Sequence, residues 1–240
     1  MDRVGEAAVR AGRRPESIIV VAVTKTASPD QIRGIVEQGH IDLGENRVQQ
    51  LIQRVAQLKE FLSRKRTLGR AATTPGHDAP DDVRWHMAGH LQRNKVKQVL
   101  PLVKLIHSID SLRLAEEIQA VTARADTAVD ILLEINASGE PSKQGVAPAA
   151  ALHLAEQIDS MVHVRLRGLM TMAPRLENPE DARPTFARTA EIFEDIRTEG
   201  IGGNQFNILS MGMTNDFEVA IEQGANILRI GRAFFGETEQ

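Results

Sequence analysis

The chain has 240 residues, a formal net charge of -3 and 42% hydrophobic residues, but only 3% aromatic ones, with no tyrosine, one tryptophan and no cysteine. Near-neutral charge and scarce rings exclude a nucleic-acid groove built on a basic face with stacking aromatics. Without cysteine, disulfides and thiolate metal sites are excluded too.

The opening stretch "MDRVGEAAVRAGRRPES" is amphipathic, and no run approaches the roughly 18 apolar residues of a membrane span, so a soluble cytoplasmic protein is expected. A β-rich run, "SIIVVAVTK", then ends in Lys25, and Pro29 with Asp30 opens a helix over "PDQIRGIVEQG". "IDLGEN" reads as the second strand and "RVQQLIQRVAQLKEFL" as its helix, with apolar residues recurring at three and four. The basic "RKRTLGR" and polar "AATTPGHDAPDD" read together, over 64–82, as a surface insertion. "VRWHMAG" and "LVKLIHSID" follow as strands, and Ser111 opens the helix "DSLRLAEEIQAVTARA". "AVDILLEIN" leads into the loop "NASGEPSKQGV", "VRLRGLMTM" precedes a helix opened by Pro179, and "FNILSMGM" and "ANILRIG" complete the strands.

Eight strands, apolar on both faces and each followed by a helix or helical turn, belong to a parallel sheet covered by helices. An open doubly wound sheet also fits the alternation. Eight units in about this length favour closure into a single-domain (β/α)8 TIM barrel over 1–240, preceded by a short N-terminal helix.

In such a barrel the active site lies at the C-terminal ends of the strands. Reading off those ends gives Lys25, Glu45, Asn46, His86, Gly89, Asp110, Asn136, Met170, Met172, Ser210 to Thr214 and Arg229 to Arg232, among which Lys25 is the sole lysine. Lysine at a strand end is often merely solvated, its stem on apolar surface. The last two segments change the weighting. Gly212 lies between the hydroxyls of Ser210 and Thr214, and Gly231 leaves a bare backbone after the eighth strand. Each glycine alone is first a turn residue. Together they occupy the two loops where barrels hold a phosphate. A phosphate site facing a lone lysine points to a carbonyl compound held as a Schiff base. Pyridoxal 5′-phosphate carries both groups; a phosphosugar aldolase would need them too, with an acid/base group near the amine.

Other candidates read as structural. His86 and His90 lack the shared helical face of a zinc motif and are expected to make hydrogen bonds, His86 nearer the pocket. Met170, Met172, Met211 and Met213 read as packing around the barrel mouth. Glu134 is an interior acid that needs a partner, for which a salt link is expected. Lys143 is the rival amine for Schiff-base formation.

"AVTKTASPDQIRGIVEQGHIDLGENRVQQL", "WHMAGHLQRNKVKQVL", "LLEINASGEPSKQGV", "GLMTM" and "LSMGMTNDFEVAIEQGANILRIGRAFFG" resemble the pyridoxal phosphate homeostasis protein family, in register over about residues 17–236. The resemblance implies a barrel similar to the N-terminal domain of alanine racemase, with the cofactor covalently on Lys25. It places Asn46 beside the ring, Arg229 at the pyridine nitrogen, and the phosphate on Ser210, Thr214, Gly231 and the amide of Arg232. Two positions depart from the family pattern: Arg47 stands where Tyr is usual after "GEN", and Arg232 where Thr or Ser is usual after "RIG". A guanidinium donates to the pyridine nitrogen without protonating it, which leaves a poorer electron sink. The implied role is therefore to hold and deliver pyridoxal phosphate to apo-enzymes, as a monomer without nucleic-acid or membrane partners, in vitamin B6 and amino-acid homeostasis. The alternative is a racemase-like enzyme of low activity. Lys25 could serve one face of the α-carbon, but the sequence has no tyrosine for the other and its length leaves no room for a second domain.

Overall fold

The computed structural model describes residues 2–69, 83–140, 143–174 and 177–236. Eight strands alternate with helices: β1 (Ile19–Val23), β2 (Asp42–Glu45), β3 (Arg84–Met87), β4 (Leu105–Ile109), β5 (Val129–Ile135), β6 (Val164–Thr171), β7 (Ile208–Ser210) and β8 (Ile227–Ile230). All pair in parallel in chain order, and β8 returns to β1 with Val21 opposite Arg229, so the sheet is a closed barrel. The helices are α1 (Asp2–Arg10), α2 (Pro29–Glu37), α3 (Val48–Gly69), α4 (Val96–Val99), α5 (Leu112–Arg124), α6 (Ala151–Asp159), α7 (Arg183–Thr198), α8 (Phe217–Glu222) and α9 (Arg232–Phe235). Closure thus decides between the two topologies the alternation allowed.

Alternation along each strand divides the core in two. Val21, Leu105, Leu132, Met170 and Ile227 pack together inside the barrel, whereas Val20, Ala22, Leu43, Leu133 and Leu228 join the larger cluster under the helices. β6 approaches β7 so closely that a Cβ at Gly168 would lie 1.8 Å from the Ile208 carbonyl oxygen, so only glycine fits there.

The helix starts follow local chemistry. Ser28 and Gln31 form a capping box on α2, with Pro29 in the first turn. Ser111 occupies the N-cap of α5, but its hydroxyl donates to Asp110 Oδ1 at 3.0 Å and not to the helix. Pro179 opens a single 3₁₀ turn, Pro179–Ala182, that runs into α7. The expected insertion over 64–82 needs correction at its start, because 64–69 complete α3, while 70–82 lie outside the described residues. Among the described residues, no helix is long and apolar enough to cross a membrane.

Candidate functional site

Lys25 stands two residues beyond β1, at the C-terminal end of the barrel, and its side chain is exposed. The backbone beneath it is pinned. Thr24 donates from its amide to the Gly44 carbonyl at 2.9 Å and from its hydroxyl to Glu45 Oε1 at 2.5 Å. Glu45 is fully buried and ion-paired with Arg54 of α3. Arg54 also donates to the Thr24 carbonyl, and to the Ala27 carbonyl at 3.1 Å. One guanidinium thus clamps the chain on both sides of Lys25 and leaves the amine free to reach a ligand. Arg54 escapes the sequence reading because it is one of many charges on an amphipathic helix. The available signal was Glu45, an acid inside a buried strand that requires a cation.

Around this loop, Thr26 Oγ1, Asn46 Oδ1 and Gln50 Oε1 are buried yet find no hydrogen-bond partner among the described residues. Buried polar atoms are nearly always satisfied, so orphans on the loops after β1 and β2 and in the first turn of α3 mark a place for a ligand or water. Asn46 is half-buried, and its backbone is fixed by contact with the loop after β3, where a Cβ at Gly89 would fall 2.2 Å from the Asn46 carbonyl oxygen. The neighbouring Arg47 is exposed.

On β8, Arg229 lies inside the barrel at 4% exposure. Its Nη1 donates to the Ser210 carbonyl at 2.8 Å and to Ser210 Oγ at 2.6 Å, and its Nη2 donates to the Thr171 carbonyl at 2.8 Å. Burial pushes Arg229 down to about 10, opposed by the charges of Glu134 and Asp216, so it remains a cation at neutral pH. Glu134 does not form the expected salt link: among the described residues it has no ion pair, and burial pushes its carboxyl up to about 7 against the attraction of Arg229.

Ser210 and His86 lie deeper than their expected roles require. The Ser210 hydroxyl is held by Arg229 and, at 3.0 Å, by His107 Nδ1. His86 is buried on β3, with Nδ1 2.9 Å from His107 Nε2 and Nε2 3.2 Å from Asp42 Oδ1. His107 and Asp42 were missed in the sequence, because an inward polar residue within "LIHSI" or at the start of "DLGE" is masked by its apolar neighbours. His90 lies apart in the loop after β3, 3.3 Å from Asp110.

The loops after β7 and β8 gather the remaining candidates. Gly212 takes φ +89°, and a Cβ there would meet Ala220 Cβ at 2.6 Å, so packing against α8 already requires glycine. Met213 donates its amide to Asp216 Oδ1 at 2.6 Å, which fixes the turn that carries half-buried Thr214. Gly231 approaches β1: a Cβ there would lie 3.2 Å from the Val23 carbonyl oxygen, two residues before Lys25. Arg232 donates to Asn215 Oδ1 at 3.1 Å and ties the two loops together.

Lys143 is anchored. Its ammonium lies 3.3 Å from Ser138 Oγ, 3.4 Å from the Met172 carbonyl and 3.4 Å from Glu140. Asn136 organises that loop by donating to the Glu140 carbonyl at 2.9 Å. Of the four methionines expected to pack, Met170 and Met211 are buried, Met213 is half-buried, and Met172 is 37% exposed.

The family described as alanine racemase, N-terminal domain, matches residues 20–239. The pyridoxal phosphate homeostasis protein of Aquifex aeolicus is 38% identical over 241 residues, covering 99% of this chain and 94% of its own. The chain belongs to the pyridoxal phosphate homeostasis protein family. Among solved structures, one described as an unknown protein from Bifidobacterium adolescentis superposes on this family member with a TM-score of 0.83 at 36% identity, covering 98% of this chain and 90% of that one. PipY of Synechococcus elongatus, solved with pyridoxal phosphate bound, gives 0.77 at 27% identity, covering 97% of this chain and 100% of that one. A Clostridium difficile alanine racemase shares the barrel alone, with a TM-score of 0.64 at 12% identity over 100% of this chain and 56% of that one.

Proposed function

We propose that this protein holds pyridoxal 5′-phosphate as a Schiff base on Lys25 and acts as a non-catalytic carrier in intracellular pyridoxal phosphate, vitamin B6 and amino-acid homeostasis. The observation that carries the reading is an exposed lysine on a clamped loop, with a buried arginine below it on the adjacent strand. The residues present fit the group. Lys25 supplies the amine that condenses with the aldehyde and releases water. Asn46 Oδ1 is a buried acceptor without a partner among the described residues. Arg229 has five N–H groups, of which three bonds to Ser210 and Thr171 leave two to meet a ring nitrogen. In this reading the phosphate is held by Thr214, Gly231 and Arg232 on the loops after β7 and β8, which Arg232 ties together through Asn215 at 3.1 Å. The Ser210 hydroxyl is engaged by Arg229 and His107, and His86 belongs to the network behind them.

The bound cofactor would supply an electrophilic carbon and a conjugated ring, and Arg229 tempers the second. A cation that cannot give up its proton at neutral pH orients the pyridine nitrogen without making it a strong electron sink. That favours storage and delivery to apo-enzymes over turnover. Weak racemase-like activity is the second reading, favoured by Glu134, whose carboxyl at about 7 could exchange a proton near neutral pH.

Purified protein incubated with pyridoxal phosphate, reduced with borohydride and mapped by peptide mass spectrometry tests the assignment. The expected result is one reduced adduct on Lys25, lost in Lys25→Ala. An adduct confined to Lys143, or none, overturns it. Incorporation of solvent deuterium at the α-carbon of alanine by wild type but not by Glu134→Gln would favour the second reading.

A further inference from the structure

A continuous line of buried hydrogen bonds crosses the barrel interior from the end that carries Lys25 to the opposite end. Arg229 Nη1 meets Ser210 Oγ at 2.6 Å, Ser210 Oγ meets His107 Nδ1 at 3.0 Å, and His107 Nε2 meets His86 Nδ1 at 2.9 Å. His86 Nε2 then meets Asp42 Oδ1 at 3.2 Å, and Asp42 Oδ2 accepts from Arg84 Nη2 at 2.5 Å. Asp42 and Arg84 begin β2 and β3, so they lie at the N-terminal end of the barrel. Between the terminal arginines every member is buried: Asp42 at 7%, His86 at 4%, His107 and Ser210 at 0%.

Donor and acceptor chemistry gives this line one direction. Burial raises the Asp42 carboxyl, but the bonds from His86 and Arg84 more than reverse that and hold it below its usual range, so Asp42 only accepts. His86 must therefore carry a proton on Nε2. Burial first, then a charge on His86 when that ring carries a second proton and the charge of Arg229, keep His107 well below its ordinary value, so His107 has one proton. With one proton on each ring, His86 Nδ1 is bare and accepts from His107 Nε2–H; His107 Nδ1 is then bare and accepts from the Ser210 hydroxyl. Ser210 Oγ in turn accepts from Arg229. From Asp42 to Ser210 every donor then has an acceptor, while Arg84 Nε at the far end finds no partner among the described residues. A second proton on His86 would drive Nδ1–H at His107 Nε2 and turn His107 Nδ1–H toward Ser210. The buried Ser210 hydroxyl hydrogen would then lose its acceptor, a costly state.

We propose that Asp42 is a positioning residue that acts through His86, His107 and Ser210 to fix the guanidinium of Arg229. The carboxylate sets both histidine tautomers, the tautomers commit the Ser210 hydrogen to His107, and the Ser210 lone pair is left facing Arg229. The inference rests on the proposed cofactor role only for what Arg229 then touches.

The test uses the full chain, first without cofactor. In ¹⁵N NMR of the histidine side chains, His86 and His107 are expected to be protonated on Nε2 and bare on Nδ1. Asp42→Asn should reverse both. Arg84 can only donate, so it retains the new amide oxygen; the amide NH₂ then faces His86 Nε2 and forces that nitrogen to accept. A wild-type ring protonated on Nδ1, a doubly protonated His86, or unchanged tautomers in Asp42→Asn overturns the proposal, and the wild-type measurement decides even if the variant does not fold. With pyridoxal phosphate added, Asp42→Asn is expected to bind about tenfold more weakly and with a shifted visible band, the loss of one well-placed hydrogen bond. Reversed tautomers with unchanged affinity and band would overturn the positioning of Arg229. If wild type takes up no pyridoxal phosphate, the proposed function falls while the tautomers still decide the relay.

Discussion

Glu134 sets a pH dependence that a single residue can be made to report. Its carboxyl is raised from 4.5 to about 7, first by burial. In the native state it keeps its proton over a range where the unfolded chain has lost it. Its contribution to stability is therefore complete below the unfolded value and is lost as pH rises through about 7. The shift corresponds to about 3 kcal/mol. Glu134→Gln should leave stability near pH 4 little changed and raise it by about that amount relative to wild type at pH 8, measured from urea midpoints. The wild-type minus variant difference cancels His107, whose lowered value acts in the opposite sense, its stability being lost as pH falls. Equal slopes for the two proteins would remove Glu134 as the source. In the sequence Glu134 was legible as an interior acid and Lys25 as a strand-end amine, because each breaks an apolar run. His107 was not, because its apolar neighbours mask it and its partners, Ser210 on β7 and His86 on β3, come from other strands.

At the scale of elements, the loop between β1 and α2 depends on α3. Arg54 is the only cation joined to buried Glu45 among the described residues, and the same guanidinium accounts for the Thr24 and Ala27 carbonyls. Removing one member of a buried pair leaves an uncompensated charge and costs about 3–5 kcal/mol. Arg54→Ala should lower stability by roughly that amount and slow borohydride trapping at Lys25, because the loop loses both carbonyl anchors. Adding Glu45→Gln should recover part of the stability but not the trapping rate. A full recovery of trapping in the double variant would show that the ion pair, not the loop clamp, governs Lys25. The helix that supplies Arg54 was readable from its apolar spacing, but its end was not. The basic stretch at 64–69 looks like loop composition, yet Arg64 pairs with Glu60 one turn back at 2.6 Å and Lys65 with Glu37 of α2 at 2.8 Å, so the helix continues.

For the whole molecule, parallel strands covered on both faces leave long apolar runs, and that is why eight of them could be counted from the sequence. Closure is a different matter, since it rests on the β8–β1 pairing between chain segments some two hundred residues apart, which no local pattern encodes. The seam is reinforced from outside the sheet. Arg13, just after α1, donates to the Ile221 and Ala225 carbonyls at 3.1 and 2.6 Å, and Arg3 and Arg10 both pair with Glu218 of α8. The surface left by this closed form bears on oligomerisation. Among the described residues, the large exposed hydrophobics are Val9, Ile19, Leu152, Val162 and Met172, spread over α1, β1, α6, the turn before β6 and the barrel mouth. A stable interface needs a contiguous patch with an apolar centre, and scattered single residues do not make one. Sedimentation equilibrium should therefore return a mass near 26.4 kDa, with and without pyridoxal phosphate. A mass twice that, present only with the cofactor, would mean that loading assembles a second copy and that the proposed delivery to an apo-enzyme must first displace it.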